Sequence, residues 1–202
     1  MERKKLRNTK SSANQPAEKE SILLYLHDIV YLLTGILLVL LLLFRIVVVS
    51  GPSMMDTLED GDCLLLISHA VAGDPQYGDI VVAAKESFKD GEPIVKRVIA
   101  TEGQTVDIDF AAGIVYVDGK ALKEDYIRTP TYLAEGMTFP LVVEEGSLFV
   151  MGDNRGASMD SRDPKIGLID TREVMGRAIF LVFPGKGVSD EGRNFGRIGV
   201  LK

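Results

Sequence analysis

The sequence of 202 residues contains one cysteine and two histidines, and this scarcity excludes several kinds of site. A single thiol, Cys63, cannot form an intramolecular disulfide, so packing must stabilise the fold. The two histidines, His27 and His69, do not form a plausible zinc site, and we predict neither a metal nor another cofactor. A Ser-His-Asp triad is also unsupported, because His27 lies in an apolar segment and His69 has no motif around it.

Positive charge is scarce in the larger part of the chain. From Ser50 onward there are 16 Lys and Arg residues against 25 Asp and Glu residues, which gives that part a charge of about −9. A nucleic-acid-binding surface is therefore not expected.

One long apolar run covers residues 29–49, interrupted by Thr34, Gly35 and Arg45. Its 21 positions are enough for a helix to cross a hydrocarbon core of roughly 30 Å. Basic residues precede it, and short basic flanks stay on the cytoplasmic side: Arg3, Lys4, Lys5, Arg7, Lys10 and Lys19. A cleaved signal peptide is the alternative, but its apolar region is shorter, about 7–15 residues.

We therefore predict three parts. Residues 1–20 form a disordered basic cytoplasmic tail, residues 21–49 a transmembrane anchor helix in the lipid bilayer, and residues 50–202 an extracytoplasmic domain.

Helical periodicity is scarce in that domain, and short apolar runs recur between turn residues. We predict a mainly β fold of short strands, preceded by the single helix. The predicted strands cover residues 63–67, 79–83, 94–99, 105–108, 114–117, 147–151 and 176–183, with a possible helical turn near 170–174.

The segment Gly51-Pro52-Ser53 places a serine on a bend directly after the anchor. A serine in a Gly-Pro turn is most often a turn residue, and it becomes a nucleophile only if a base lies beside it.

Lys96 in "IVKRVIA" is a candidate base. Alternation along a strand puts Lys96 on the same face as Ile94 and Val98 and turns Arg97 the other way. Burial disfavours the charged form of a lysine, and a neutral lysine can accept a proton. The alternatives are that Lys96 extends its amine to solvent or pairs with a carboxylate.

The segment "MGDNRGASMDSRDPKIG", residues 151–167, is rich in acids, arginines and serines. Its acids and arginines could form ion pairs, and Ser158 or Ser161 could hydrogen-bond a nearby amine. The alternative is a surface loop with exposed salt bridges of little energetic value.

The ordered motifs "SGPSMMDTLEDGD", "GDIVV", "VKRVIA", "GDNRGASMDSR" and "GRAIFLVFP" behind one anchor resemble bacterial type I signal peptidases over residues 50–184. The resemblance implies a membrane-bound serine endopeptidase that uses a serine–lysine dyad on a mainly β domain. Its expected substrates are the signal peptides of exported preproteins, cut after small residues at Ala-x-Ala sites. The resemblance leaves the oligomeric state open.

By motif, the resemblance implies that Ser53 is the nucleophile and Lys96 the general base. Ser158 matches a serine that orients the lysine, Asp160 and Arg162 match a supporting ion pair, and Asp153 matches the acid of the "GDN" turn. Apolar pockets for substrate are expected from Val49, Met54, Leu58 and Val95, and Met55 is expected on an apolar surface that meets the bilayer.

Two positions depart from the family pattern. Gly51 stands where some relatives have a serine that completes the oxyanion hole, so the backbone N–H of Ser53 is the expected donor. Asp56 stands where the family usually has proline, and we expect its carboxylate to point to solvent.

Two other functions remain possible from the sequence. One is a catalytically inactive, membrane-tethered β domain, and the other is a sortase-like transpeptidase that uses Cys63. The context of Cys63, "GDCLLLI", lacks the residues expected around a sortase cysteine.

Overall fold

The chain begins with a long apolar helix. The computed structural model describes residues 15–85, 88, 91–186 and 192–201 and divides the chain into two compact units between Leu42 and Leu43. The first unit is α1 (Gln15–Leu43), whose segment Ile22–Leu43 has the length and composition to cross a membrane. Its side chains from Ile22 to Leu42 are exposed, as expected for a helix without a protein core around it.

The start of α1 differs from the prediction. The helix begins at Gln15, so residues 15–20 are helical although we assigned them to a disordered tail, whose residues 1–14 lie outside the described part. Residues 17–20, Ala-Glu-Lys-Glu, are good helix formers, and a proline such as Pro16 is tolerated in a first helical turn.

The end of α1 also differs from the prediction, which extended the helix to residue 49. Residues 44–48 instead form β1 (Phe44–Val48), which pairs antiparallel with β2 (Cys63–Ser68) from Phe44 opposite Ile67 to Val48 opposite Cys63. The segment is rich in β-branched residues, which favour strands, and hydrophobicity alone cannot distinguish the two conformations.

The rest of the chain is mainly β, as predicted. After α2 (His69–Ala72) come β3 (Ile80–Ala83), β4 (Ile94–Thr101), β5 (Thr105–Asp109), β6 (Ile114–Val117), β7 (Lys120–Ala121), β8 (Leu141–Val142), β9 (Ser147–Met151), β10 (Ile169–Asp170), β11 (Val174–Phe183) and β12 (Gly199–Val200). Each of the seven predicted strands is confirmed to within a few residues. The expected turn near residue 170 is a 3-10 helix, Thr171–Glu173, capped by Asp170.

Two antiparallel sheets organise these strands. The larger has the order β1-β2-β11-β3-β4-β9-β10, with β12 added to β11, and the smaller has the order β7-β6-β5-β8. Strand β4 lies inside the larger sheet and is buried on both faces. Val95 packs in one apolar cluster, whereas Ile94 and Val98 pack in another, as strand alternation requires.

Candidate active site

A loop between β1 and β2 presents Ser53. Backbone bonds close the loop at its base, from Val49 N to Asp62 O at 2.8 Å and from Gly61 N to Val49 O at 2.9 Å. Gly51 has a φ of +89°, a conformation that residues with a Cβ rarely adopt, and its N–H donates to Asp60 Oδ1 at 2.8 Å. The bend predicted from the sequence is therefore a fixed turn that leaves Ser53 half-buried.

The structure brings Ser53 and Lys96 together. Lys96 is only 5% exposed on β4, and its Nζ donates a hydrogen bond to Ser53 Oγ at 2.8 Å. The amine thus lies within proton-transfer distance of the hydroxyl. This is the geometry that a serine nucleophile needs from a lysine base.

The segment after β9 surrounds this pair with buried polar contacts. Asp160 Oδ2 accepts hydrogen bonds from Ser158 Oγ at 2.8 Å and from Gly152 N at 2.9 Å. Arg162 binds both oxygens of the same carboxylate, each at 2.8 Å, and Asp160 and Arg162 are fully buried. A fully desolvated, bidentate pair of this kind holds its segment in one conformation.

Asp153 belongs to a second buried pair, with Arg97. Arg97 Nε and Nη2 donate to Asp153 at 2.9 and 2.8 Å, and Thr57 Oγ1 donates to the same carboxylate at 2.5 Å. Asn154 joins the same segments, because its N–H donates to Ser53 O at 3.0 Å and its side chain to Pro52 O at 3.1 Å. The loop that carries Ser53 is thereby attached to the segment after β9.

Sequence reasoning missed several of these partners. Arg97 was predicted only to face away from Lys96, and its charge within a buried strand was the available signal. Arg155, which we considered as a possible ion-pair partner in its own segment, instead binds the distant Glu124, with Nη2 2.5 Å from Oε1. The alternative of an exposed loop with weak salt bridges is wrong, since Asp153, Arg155, Asp160 and Arg162 are all fully buried.

A groove of about 410 Å³ runs past Ser53 and Lys96. Val49 and Val95 both line it, and Ala157 and Met159 contribute to its wall. Met54 and Leu58 are fully buried and pack with Val49 and Val95 in one apolar cluster behind that wall. The expected pocket residues therefore divide into two that face the groove and two that support it.

Three further expectations have clear outcomes. The Asp56 side chain is 74% exposed, as predicted, and its nearest cation is Arg128 at 3.7 Å. The prediction of an exposed Met55 is wrong, because Met55 is 8% exposed and its sulfur accepts a bond from Arg128. Cys63 begins β2 and His69 follows its last residue, so the two are roughly 20 Å apart along an extended strand, too far for a sortase-like pair.

Glu135 lies beside Arg162 and has a carboxyl group with a raised pKa. Burial opposes the positive charge of Arg162, but hydrogen bonds and attraction from Asp160, with attraction from Glu135, raise its pKa. Burial and the repulsion of Asp160 raise the pKa of Glu135 to about 7, which outweighs the opposing attraction of Arg162. Arg162 thus stays charged while Glu135 titrates near neutrality.

The chain is similar in sequence to known proteins. Residues 22–183 match the family model described as signal peptidase, peptidase S26. A probable signal peptidase I-1 from Synechocystis sp. is 37% identical over 169 residues, covering 78% of this chain and 82% of the relative. Signal peptidase I from Bacillus licheniformis is 34% identical over 175 residues, covering 83% and 91%.

A further relative is signal peptidase I T from Bacillus subtilis, 37% identical over 162 residues that cover 74% of this chain and 81% of the relative. The crystal structure of a signal peptidase I from Enterococcus faecalis is 30% identical and aligns with a TM-score of 0.42, covering 52% of this chain and 97% of that one.

Proposed function

Because the chain belongs to the signal peptidase family, peptidase S26, and is a serine peptidase, we propose that it removes signal peptides from exported preproteins with a Ser53–Lys96 dyad. The observation that carries this proposal is the 2.8 Å hydrogen bond from Lys96 Nζ to Ser53 Oγ beside an open groove. The proposed cleavage sites are of the Ala-x-Ala type.

The proposed reaction begins with neutral Lys96, which takes the proton of Ser53 as Oγ attacks the scissile carbonyl. The backbone N–H of Ser53 stabilises the resulting oxyanion. Lys96 then gives its proton to the leaving amine, and an ester remains on Ser53. Lys96 next activates a water molecule, which hydrolyses the ester and releases the signal peptide with a free carboxylate.

The supporting residues act on the position of the dyad. Ser158, held by Asp160, is the proposed partner that orients the lysine, and Arg162 fixes Asp160 through two hydrogen bonds. Asp153 fixes the strand that carries Lys96 through its neighbour Arg97. Removing water from such a site strengthens each of these interactions.

The proposed substrate lies in the groove as an extended chain. Val49 and Val95 both border the groove, and Met54 and Leu58 fill the space behind them. An extended peptide can pair with the strand edges there, while shallow apolar pockets accept small side chains such as alanine.

The apolar helix supports a membrane location for this reaction. We propose that α1 crosses the cell membrane once, with the N-terminus in the cytoplasm and the catalytic unit outside. Signal peptides and the lipid bilayer are then the partners of the chain.

The test is the cleavage of a purified preprotein in detergent, with the product's new N-terminus identified by mass spectrometry. Wild type and the control Ser147→Ala should cut after an Ala-x-Ala site, whereas Ser53→Ala should not. Replacing the alanine before the scissile bond by a bulky residue should abolish cutting. If the folded wild type cuts none of several preproteins, the proposal is wrong and the inactive tethered domain becomes the better account.

A further inference from the structure

Glu135 is a mostly buried carboxylate beside the site. Its side chain is 13% exposed, and Oε1 lies 3.5 Å from Arg162 Nη2. The other oxygen, Oε2, is buried and has no hydrogen-bond partner among the residues that the structure describes. An ionised carboxylate in this position is costly, because its charge is only partly compensated.

The loop that carries Glu135 is fixed to the segment after β9. Met137 N donates to Arg162 O at 2.9 Å, and Arg162 Nη1 donates to Leu133 O at 3.1 Å. Glu135 lies between these two attachment points. Its carboxylate lies beside Arg162 and is mostly removed from solvent.

Three charged groups face the Glu135 carboxylate, namely Asp160, Arg162 and Asp163, and the backbone of Asp160 hydrogen-bonds it. Burial, then repulsion from Asp160, raises the pKa of Glu135 from 4.5 to about 7. Below that pH, Asp160 and Arg162 form a neutral pair, and above it Glu135 adds a negative charge to the cluster.

Hydrogen bonds join this cluster to Ser158 and Gly152, and Gly152 packs against the backbone of Ser53. Arg162 binds Asp160, and Asp160 accepts hydrogen bonds from Ser158 Oγ and Gly152 N. A Cβ built on Gly152 would lie 2.2 Å from Ser158 Oγ and 2.4 Å from Ser53 O, so these atoms are closely packed. Asp160 is therefore separated from the backbone of Ser53 by a single residue, Gly152, which contacts both.

We propose that Glu135 is a positioning residue of this peptidase, which acts through Arg162 and Asp160 and whose charge adjusts the pH range in which the dyad is active. The catalytic part of this inference rests on the proposed function. Ionised Glu135 adds a negative charge to the buried cluster that holds Ser158, and added negative charge in the site favours the protonated form of Lys96, which cannot act as a base.

The sign of the effect on stability follows from proton binding. The folded chain holds the Glu135 proton more tightly than the unfolded chain does, so between pH 4.5 and about 7 the folded state binds more protons. The free energy of unfolding should therefore fall as the pH rises through this window. Glu135→Gln has nothing to ionise and should lack this fall.

The experiment compares the full chain in detergent as wild type, Glu135→Gln and Glu145→Gln, the last being a control at an exposed glutamate. The first measurement is the urea midpoint of unfolding from about pH 5 to 8.5, which needs no substrate. The second is kcat/KM for preprotein cleavage over the same range.

We expect the stability of Glu135→Gln relative to wild type to increase as the pH rises. We also expect the acidic limb of its kcat/KM profile to shift to lower pH by on the order of half a unit. Glu145→Gln should follow wild type in both. Parallel stability curves for wild type and Glu135→Gln would overturn the inference, as would a Glu135→Gln chain that is less stable than wild type at pH 8.

The two measurements separate this inference from the proposed function. A stability difference that grows with pH, combined with an unchanged acidic limb, overturns the positioning role alone. A wild-type chain that shows the stability effect but cleaves no preprotein overturns the proposed function, and with it the catalytic part of the inference.

Discussion

Gly152 lies between Ser53, the proposed nucleophile, and Ser158, the proposed partner of the lysine. A Cβ at this position would meet Ser158 Oγ at 2.2 Å and Ser53 O at 2.4 Å, both far inside ordinary contact distance. The backbone oxygen of Ser53 cannot yield as a flexible side chain would. The absence of a side chain at residue 152 is thus a geometric requirement of the site.

We predict that Gly152→Ala lowers kcat/KM for preprotein cleavage by about 100-fold or more, because displacement of Ser53 by even a fraction of an ångström misaligns the attack. The matched control is Gly156→Ala, whose added carbon would lie no closer than 4.0 Å to Thr129 Oγ1. Equal activity of the two variants, measured on folded protein, would show that the site accommodates the extra carbon.

At this scale the sequence indicated candidate residues better than their contacts. A bend and a strand lysine made Ser53 and Lys96 candidates, the family resemblance assigned them as a dyad, and they lie together in the structure. The pairing of Arg97 with Asp153 and of Arg155 with Glu124 could not be predicted, because the partners are 56 and 31 positions apart. Glu135 carried no sequence signal, since only the folded loop places it beside Arg162.

Among the elements, β1 links the helix to the loop of Ser53. Val47 on β1 is partly buried against the apolar cluster of Met54 and Leu58, whereas its neighbour Val48 is 62% exposed. Val47 and Val48 lie opposite Leu64 and Cys63 on β2, so their side chains point to opposite faces of the sheet. This pairing identifies the strand, because burial alone does not alternate along it: Arg45 and Ile46 are both exposed.

We predict that Val47→Asp lowers the free energy of unfolding by about 1–3 kcal/mol, because it buries a carboxylate against apolar side chains. Val48→Asp on the same strand should change stability little, since its side chain remains in solvent. Urea unfolding of the full chain in detergent measures both. Similar losses for the two variants would argue against the strand register.

Secondary-structure elements could be predicted from the sequence where a run of apolar residues was long enough to show its periodicity. Strands of four residues or more after residue 50 were predicted, whereas β7, β8, β10 and β12 have only two residues each and leave no periodic signal. β1 was missed for a different reason. Its residues are as apolar as the helix before them, and only pairing with β2 reveals that they form a strand.

For the whole molecule, the proposed topology has α1 crossing the membrane, with the N-terminus in the cytoplasm and residues 50–202 outside. The basic residues near the N-terminus favour the cytoplasm, and the unit after α1 carries an excess of acids. Cys63, the single cysteine of the chain, allows this arrangement to be tested by labelling. Cys63 has no role in the proposed reaction, so Cys63→Ser should retain peptidase activity.

In the Cys63→Ser background, we predict that Asp125→Cys reacts with a membrane-impermeant maleimide in intact spheroplasts, because Asp125 is 79% exposed on the proposed outer unit. Lys10→Cys in the N-terminal tail should react only after the membrane is permeabilised. The reverse labelling pattern would contradict the proposed orientation of α1.

The central claim is that Lys96 acts as the base for Ser53, and its most direct test is kcat/KM for preprotein cleavage from about pH 6 to 10. We compare wild type, Lys96→Ala and the control Lys120→Ala, which removes an exposed lysine. The account predicts that wild type and Lys120→Ala gain activity with pH as Lys96 loses its proton, and that Lys96→Ala is slower by about 1,000-fold or more at every pH. A folded Lys96→Ala chain that stays within tenfold of wild type would contradict the dyad.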